Sequence, residues 1–112
     1  MKKIEAVVRV EKADEVTEAL ETHGCPGIMV TRVDGHGRQG GISEQFRGRE
    51  FKVNFIPKIK IEVVVKDSDV GKIMQIIAGA AKTGDIGDGK IFVSTIDDAM
   101  RIRTGEKGEG AI

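Results

Sequence analysis

Lys2–Gly24, KKIEAVVRVEKADEVTEALETHG, changes its hydrophobic period once, and that change decides the fold. Through Lys2–Val10 the chain alternates: Ile4, Ala6, Val8 and Val10 share one face, with Lys3, Glu5 and Arg9 among the others, as in a half-buried strand. From Glu11 the apolar residues return at three- and four-residue steps. Ala13, Val16, Ala19, Leu20 and His23 form a stripe while Glu15, Glu18 and Glu21 face outward, which predicts an amphipathic helix. Gly24 is its natural stop, because glycine takes the left-handed cap conformation without a steric penalty.

The same switch recurs downstream. Pro26-Gly27 turns the chain into a second strand, Ile28–Val33. Pro57–Val65 alternates again, with Ile59, Ile61, Val63 and Val65 inward and Lys58, Lys60 and Glu62 outward. Asp67 or Ser68 is placed to cap a second helix carrying Val70, Ile73, Ile77, Ala80 and Ala81. Gly71 and Gly79 fall inside it, each costing about 1 kcal/mol against Ala, so this helix depends on packing. Lys90–Ile96 predicts a fourth strand. The order β-α-β-β-α-β is that of an α+β, ferredoxin-like fold: an antiparallel sheet with two helices on one face. The opposite face then needs cover, and self-association is expected.

Composition narrows the function classes. A chain of 112 residues is one domain's worth, with 39% hydrophobic and 32% charged residues, the balance of a globular protein. Eighteen basic residues match eighteen acidic ones, which removes the footprint of a non-specific nucleic-acid binder. The single cysteine, Cys25, has no intrachain partner, and MKKIEAVVRV lacks an apolar signal core; both favour a reducing cytoplasm. No apolar run reaches the roughly 18 residues that span a bilayer.

Three stretches lie outside the scaffold: Asp34–Ile56, Lys82–Gly89 and Arg101–Ile112. The first is far longer than a hairpin needs, and loops beyond about 12–15 residues in a compact domain are usually functional or disordered. Within it, Gly35-His36-Gly37-Arg38-Gln39-Gly40 spells G-x-G-x-x-G, but no helix follows, so a dinucleotide fingerprint is ruled out by context. A flexible glycine hinge and a backbone shaped to approach an anion both remain open. His36 among these glycines reads as a solvated polar residue more readily than as a phosphoryl acceptor. Thr83-Gly84-Asp85-Ile86-Gly87-Asp88-Gly89-Lys90 brings Gly-x-Gly and a lysine to the start of a strand, which suits phosphate oxygens; an ordinary Asp-Gly turn is the alternative. Arg101-Ile102-Arg103, if extended, projects two guanidinium groups to one side, a geometry fit for phosphate. With Arg38, Lys58 and Lys90, these cations border the irregular segments. Arg47–Val53 echoes an RNA-recognition motif, yet Arg49 and Asn54 stand where that motif wants aromatics, so RNA binding is set aside.

Thr83–Val93 resembles, residue for residue, the C-terminal signature of the nitrogen regulatory protein PII family. Gly37-Arg38-Gln39, Arg47-Gly48, Pro57-Lys58 with Ile61-Glu62, and Arg101–Glu106 fall in register with it, and the resemblance covers the full chain. It implies a ferredoxin-like homotrimer of single PII-like domains, residues 1–112, with nucleotide sites in the clefts between protomers. The family's T-loop would be about 37–55, its B-loop about 82–90 and its C-terminal loop about 102–112. ATP and ADP would compete for the cleft. Gly87, Asp88, Gly89 and Lys90 would hold phosphates together with Arg101 and Arg103; backbone near Met29, Glu62, Val63 and Val64 would frame adenine; Gly37, Arg38 and Gln39 would close the phosphate end.

The resemblance further implies that 2-oxoglutarate binds beside Mg-ATP through Gly37, Gln39, Gly41 and Lys58, with the Gln39 amide oxygen on Mg²⁺ and Lys58 on the distal carboxylate. Mg²⁺ takes six oxygens at about 2.1 Å, several of them from phosphates. The implied role is a cytoplasmic, non-enzymatic nitrogen-status sensor whose T-loop shape is read by an ammonium transporter, glutamine synthetase or a nitrogenase component. A transporter would recruit it to the membrane, with Arg47 plugging a pore and Phe51 in the partner-binding loop.

Two departures from the pattern matter. Phe51 stands where many members have a uridylylated tyrosine, and without a hydroxyl that modification is chemically impossible. Met29 stands where threonine is frequent, so a hydroxyl contact is lost there. Control by small ligands without covalent modification is the expectation. The competing readings are a slow ATPase in the same cleft, for which only Asp85 or Asp88 could act as base, and a related trimeric sensor of another small ligand.

Overall fold

The computed structural model describes residues 1–36, 43–46, 49–52 and 55–112, with backbone alone for 43–46 and 49–52. The elements are β1 (Lys2–Arg9), α1 (Ala13–Thr22), β2 (Met29–Gly35), β3 (Ser43–Phe46), β4 (Arg49–Lys52), β5 (Ile56–Val65), α2 (Val70–Ala81) and β6 (Lys90–Thr95). Four strands form one sheet in the order β2-β5-β1-β6, with every neighbouring pair antiparallel. β1 and β2 are therefore parallel with β5 between them, and β5 and β6 with β1 between them, the two interleaved split βαβ units expected from the sequence.

Alternation sets the core. Ile4, Ala6 and Val8 of β1 and Ile59, Ile61, Val63 and Val65 of β5 point to the helix side and are buried. α1 meets them with Val16 and Leu20, and α2 with Ile73, Ile77 and Ala81. α1 ends as expected: Gly24 has φ +78°, the Cys25 N–H donates to the Leu20 carbonyl at 3.1 Å and the Gly24 N–H to that of Glu21 at 2.9 Å. His23, however, falls just past the helix and is exposed rather than part of its apolar stripe.

Three other expectations change. Neither Asp67 nor Ser68 caps α2; Asp67–Asp69 form a 3-10 turn, and the Asp67 carboxylate sits 2.9 Å from the Met1 ammonium instead. The long segment after β2 is not wholly irregular, because β3 and β4 pair antiparallel within it, Ser43 opposite Lys52 and Phe46 opposite Arg49. The C-terminal stretch is not extended at Arg101–Arg103. Gly105 at φ +75° reverses the chain, and the Arg101 N–H donates to the Glu106 carbonyl at 2.8 Å. Among the described residues no helix is long and apolar enough to cross a membrane.

Candidate functional site

The glycine-rich segment between α2 and β6 folds back onto the C-terminal end of β1. Gly84, Gly87 and Gly89 have φ of 96°, 104° and 100°, values that side-chain-bearing residues rarely adopt. Gly89 is fixed by space as well: a Cβ there would lie 1.7 Å from the Val7 carbonyl oxygen.

Asp88 organises this loop. Its carboxylate accepts hydrogen bonds from the Thr83 N–H at 2.8 Å, the Gly84 N–H at 2.9 Å, the Thr83 hydroxyl, and the Arg9 Nε at 3.2 Å. The Thr83 hydroxyl and these amide donors hold its pKa far below the usual carboxylate range, with a smaller contribution from Arg9. Arg9 also donates from Nη2 to the Ile86 carbonyl at 2.8 Å. Its guanidinium therefore grips the loop at two points. Sequence reasoning saw Arg9 only as an outward strand residue. Its partners lie 77 and 79 positions away, and a solitary arginine at a strand end carries no signal of them.

Lys58 occupies the outward face of β5, as alternation requires, yet it is 8% exposed rather than solvated. Its Nζ donates to the Gly87 carbonyl at 2.5 Å, and its stem runs so close to Gly35 that a Cβ there would lie 3.2 Å from the lysine Cγ. Burial lowers the pKa of this ammonium and neighbouring Arg9 lowers it further, against smaller opposing effects of Glu11 and Asp88. An anion delivered here would relieve a charge the fold disfavours.

These groups border a cavity of about 690 Å³, lined among others by Gly35, His36, Lys58, Gly87, Gly89 and Lys90. One chain thus brings together Lys58, Gly87, Asp88, Gly89 and Lys90 from the residues singled out in the sequence. It does not bring the rest to this cavity. Met29 pairs with Glu62 across β2 and β5, four residues, or about 13 Å, along the strand from Lys58. The Glu62 carboxylate lies 3.2 Å from Lys60 and 4.0 Å from Lys3. Val63 points into the core, and Val64 lines a separate cavity of about 230 Å³ with Cys25 and Ile112. The Arg101 guanidinium is 3.1 Å from the Glu106 carboxylate, and Arg103 is exposed on the adjoining turn. Gly37, Arg38, Gln39, Gly41 and Arg47 lie outside the described residues, as does the side chain of Phe51.

The Cys25 thiol is pushed up, first by its burial and then by Asp69, which leaves it a weak nucleophile. Among the described residues no three His, Cys, Asp or Glu side chains gather as a metal site. The described residues alone would leave a Mg²⁺ here to draw on oxygens carried by a ligand. The residues present fit a polyphosphate: left-handed glycines that free backbone N–H groups, a lysine at each side, and a loop carboxylate already engaged by its own donors.

Residues 1–106 match the family described as nitrogen regulatory protein P-II. The chain is 55% identical over all 112 residues to the nitrogen regulatory protein P-II of Azospirillum brasilense, covering that protein completely. It is 54% identical to the P-II protein of Rhodospirillum rubrum, again over both full lengths. With nitrogen regulatory protein P-II 2 of Methanothermobacter thermautotrophicus it shares 54% identity over 112 residues and 97% of that protein.

Proposed function

Because the chain belongs to the nitrogen regulatory protein P-II family, we propose that it reports adenylate and 2-oxoglutarate levels to a nitrogen-assimilation target through the shape of residues 37–55. Members of this family are regulatory proteins and not enzymes. ATP or ADP binds at the Gly87–Lys90 loop. Its phosphates are held by the Gly87, Asp88 and Gly89 backbone and by Lys90, with Asp88 spending its carboxylate on the loop itself. The observation that carries this reading is Lys58, buried over that loop with its charge disfavoured and its ammonium hydrogen-bonded only to a carbonyl among the described residues.

The division of the site residues supports assembly as a homotrimer. Met29, Glu62, Val63, Val64, Arg101 and Arg103 lie away from the Lys58 cavity of their own chain, so they serve the cavity of a neighbouring copy. Met29, Phe92 and Ile102, which are 55%, 54% and 97% exposed, are large apolar side chains that such an interface would cover.

2-Oxoglutarate binds beside Mg-ATP. Lys58 takes its distal carboxylate, Gly37 and Gly41 contribute backbone, and the Gln39 amide oxygen adds a neutral ligand to a Mg²⁺ held mainly by phosphate oxygens. Arg38 closes over the phosphate end. The partner, an ammonium transporter, glutamine synthetase or a nitrogenase component, reads the loop that carries Arg47 and Phe51, and the protein works in the cytoplasm or at a transporter's membrane face. Uridylylation at Phe51 is excluded by its missing hydroxyl. Titration calorimetry tests the scheme. 2-Oxoglutarate should bind when Mg-ATP is present, and Gln39→Ala should weaken that step far more than ATP binding; equal loss of both would refute the metal-ligand role.

A further inference from the structure

We propose that His36 is a ligand-contacting, specificity-determining residue: it donates a hydrogen bond to the distal carboxylate of a 2-oxo dicarboxylate whose charge Lys58 neutralises. The inference rests on the function proposed above and deepens it. His36 lines the same cavity as Lys58, Gly87 and Lys90, one residue past the end of β2, the strand that runs beside β5. Its position is set by its neighbour. Gly35 stands opposite Ile56 and so close to the Lys58 stem that any side chain would press on it, which brings the next residue to the mouth of the Lys58 cavity.

The chemistry of the lining explains why a second donor matters. A carboxylate has two oxygens and about four acceptor positions, and one ammonium already shared with the Gly87 carbonyl leaves part of that capacity unmet. The Arg9 guanidinium is committed to Asp88 and the Ile86 carbonyl. Asp85 and Asp88 also line the cavity; Asp88 is saturated by the loop, while Asp85 adds negative charge that a dianion must overcome. Lys90, at the start of β6, stands with the phosphate loop. An imidazole beside Lys58 is therefore the group placed to favour a ligand with a second carboxylate over one that ends in a methyl group.

Calorimetry on the full chain saturated with Mg-ATP separates the possibilities, with 2-oxoglutarate and 2-oxobutyrate, which lacks the distal carboxylate, as probes. His36→Phe should weaken 2-oxoglutarate about tenfold, the low end expected for a hydrogen bond to a charged group, and leave 2-oxobutyrate unchanged. His36→Gln, which keeps an N–H donor, should recover most of that loss. An unaltered 2-oxoglutarate affinity, or an equal loss for both acids, would overturn the assignment. Failure of the wild type itself to bind 2-oxoglutarate beside Mg-ATP would overturn the underlying function, a result distinguishable from an intact wild type with an indifferent variant.

Discussion

Arg9 Nε lies 3.2 Å from Asp88 Oδ1, joining the end of the first strand to a loop 79 residues later. The pair does more than add an ion contact. Asp88 draws in two amide groups and a hydroxyl from Thr83 and Gly84, Arg9 holds the Ile86 carbonyl at 2.8 Å, and Lys58 holds that of Gly87. The loop's carbonyls and its one engaged carboxylate are thereby drawn onto β1 and β5. Under the proposed function, a loop held this way would lose little conformational entropy when a phosphate arrives.

Asp88→Asn should weaken ATP binding and lower the melting temperature near neutral pH, because an amide has one acceptor oxygen where the carboxylate uses two. The carboxylate's pKa is depressed from 3.8 in the folded chain, so its stabilisation is present above that value and lost as pH falls through the lower, folded one. Melts of wild type and variant should therefore differ fully at neutral pH, and the gap should narrow steadily as pH falls below about 4. A gap that persists in acid would contradict this.

Gly89→Ala should be the most damaging single methyl in the loop. Its Cβ would overlap the Val7 carbonyl, and its φ of +100° is strained for alanine in any case. We expect a loss of more than about 2 kcal/mol in denaturant unfolding. Nucleotide binding should vanish in whatever fraction folds.

Lys58→Met should separate stability from function. The methionine keeps an unbranched apolar stem against Gly35 and removes a charge that burial disfavours. In the wild type that penalty is relieved only as pH rises from the lowered folded value towards 10.5. The variant should melt no lower than wild type at neutral pH and yet fail to bind 2-oxoglutarate in calorimetry. A large drop in melting temperature would show that the Gly87 hydrogen bond outweighs the buried charge.

Gly79→Ala should stabilise the protein. The position is inside α2, no atom outside the helix's own neighbouring backbone lies within 4 Å of the added Cβ, and its backbone is helical. Removing the entropy of a mid-helix glycine is worth about 1 kcal/mol, or roughly 4–8 °C in melting temperature for a domain of this size.

Sedimentation equilibrium should give a mass three times that of the 12.1 kDa chain. A monomer would leave Arg101 and Arg103 without a phosphate to meet and would refute the shared-cleft arrangement.

The two period changes, at Val10–Glu11 and at Val65–Asp67, determined the order of elements, most of the core and the antiparallel sheet, because alternation and helical spacing are properties of neighbours in sequence. The Gly-x-Gly before Lys90 likewise marked the loop that Asp88 organises. What the tertiary structure alone decided is how that loop is held and how Lys58 is buried. Lys58 alternates outward like any solvated lysine, and only the approach of Gly35, Arg9 and Gly87 from three separate segments buries it. Arg9 and Asp88 are distant in sequence and unremarkable singly, so their pairing was illegible until the sheet brought them together. Periodicity records which side of an element faces the core; desolvation and hydrogen bonding across the fold depend on what arrives from elsewhere, and no local pattern carries that.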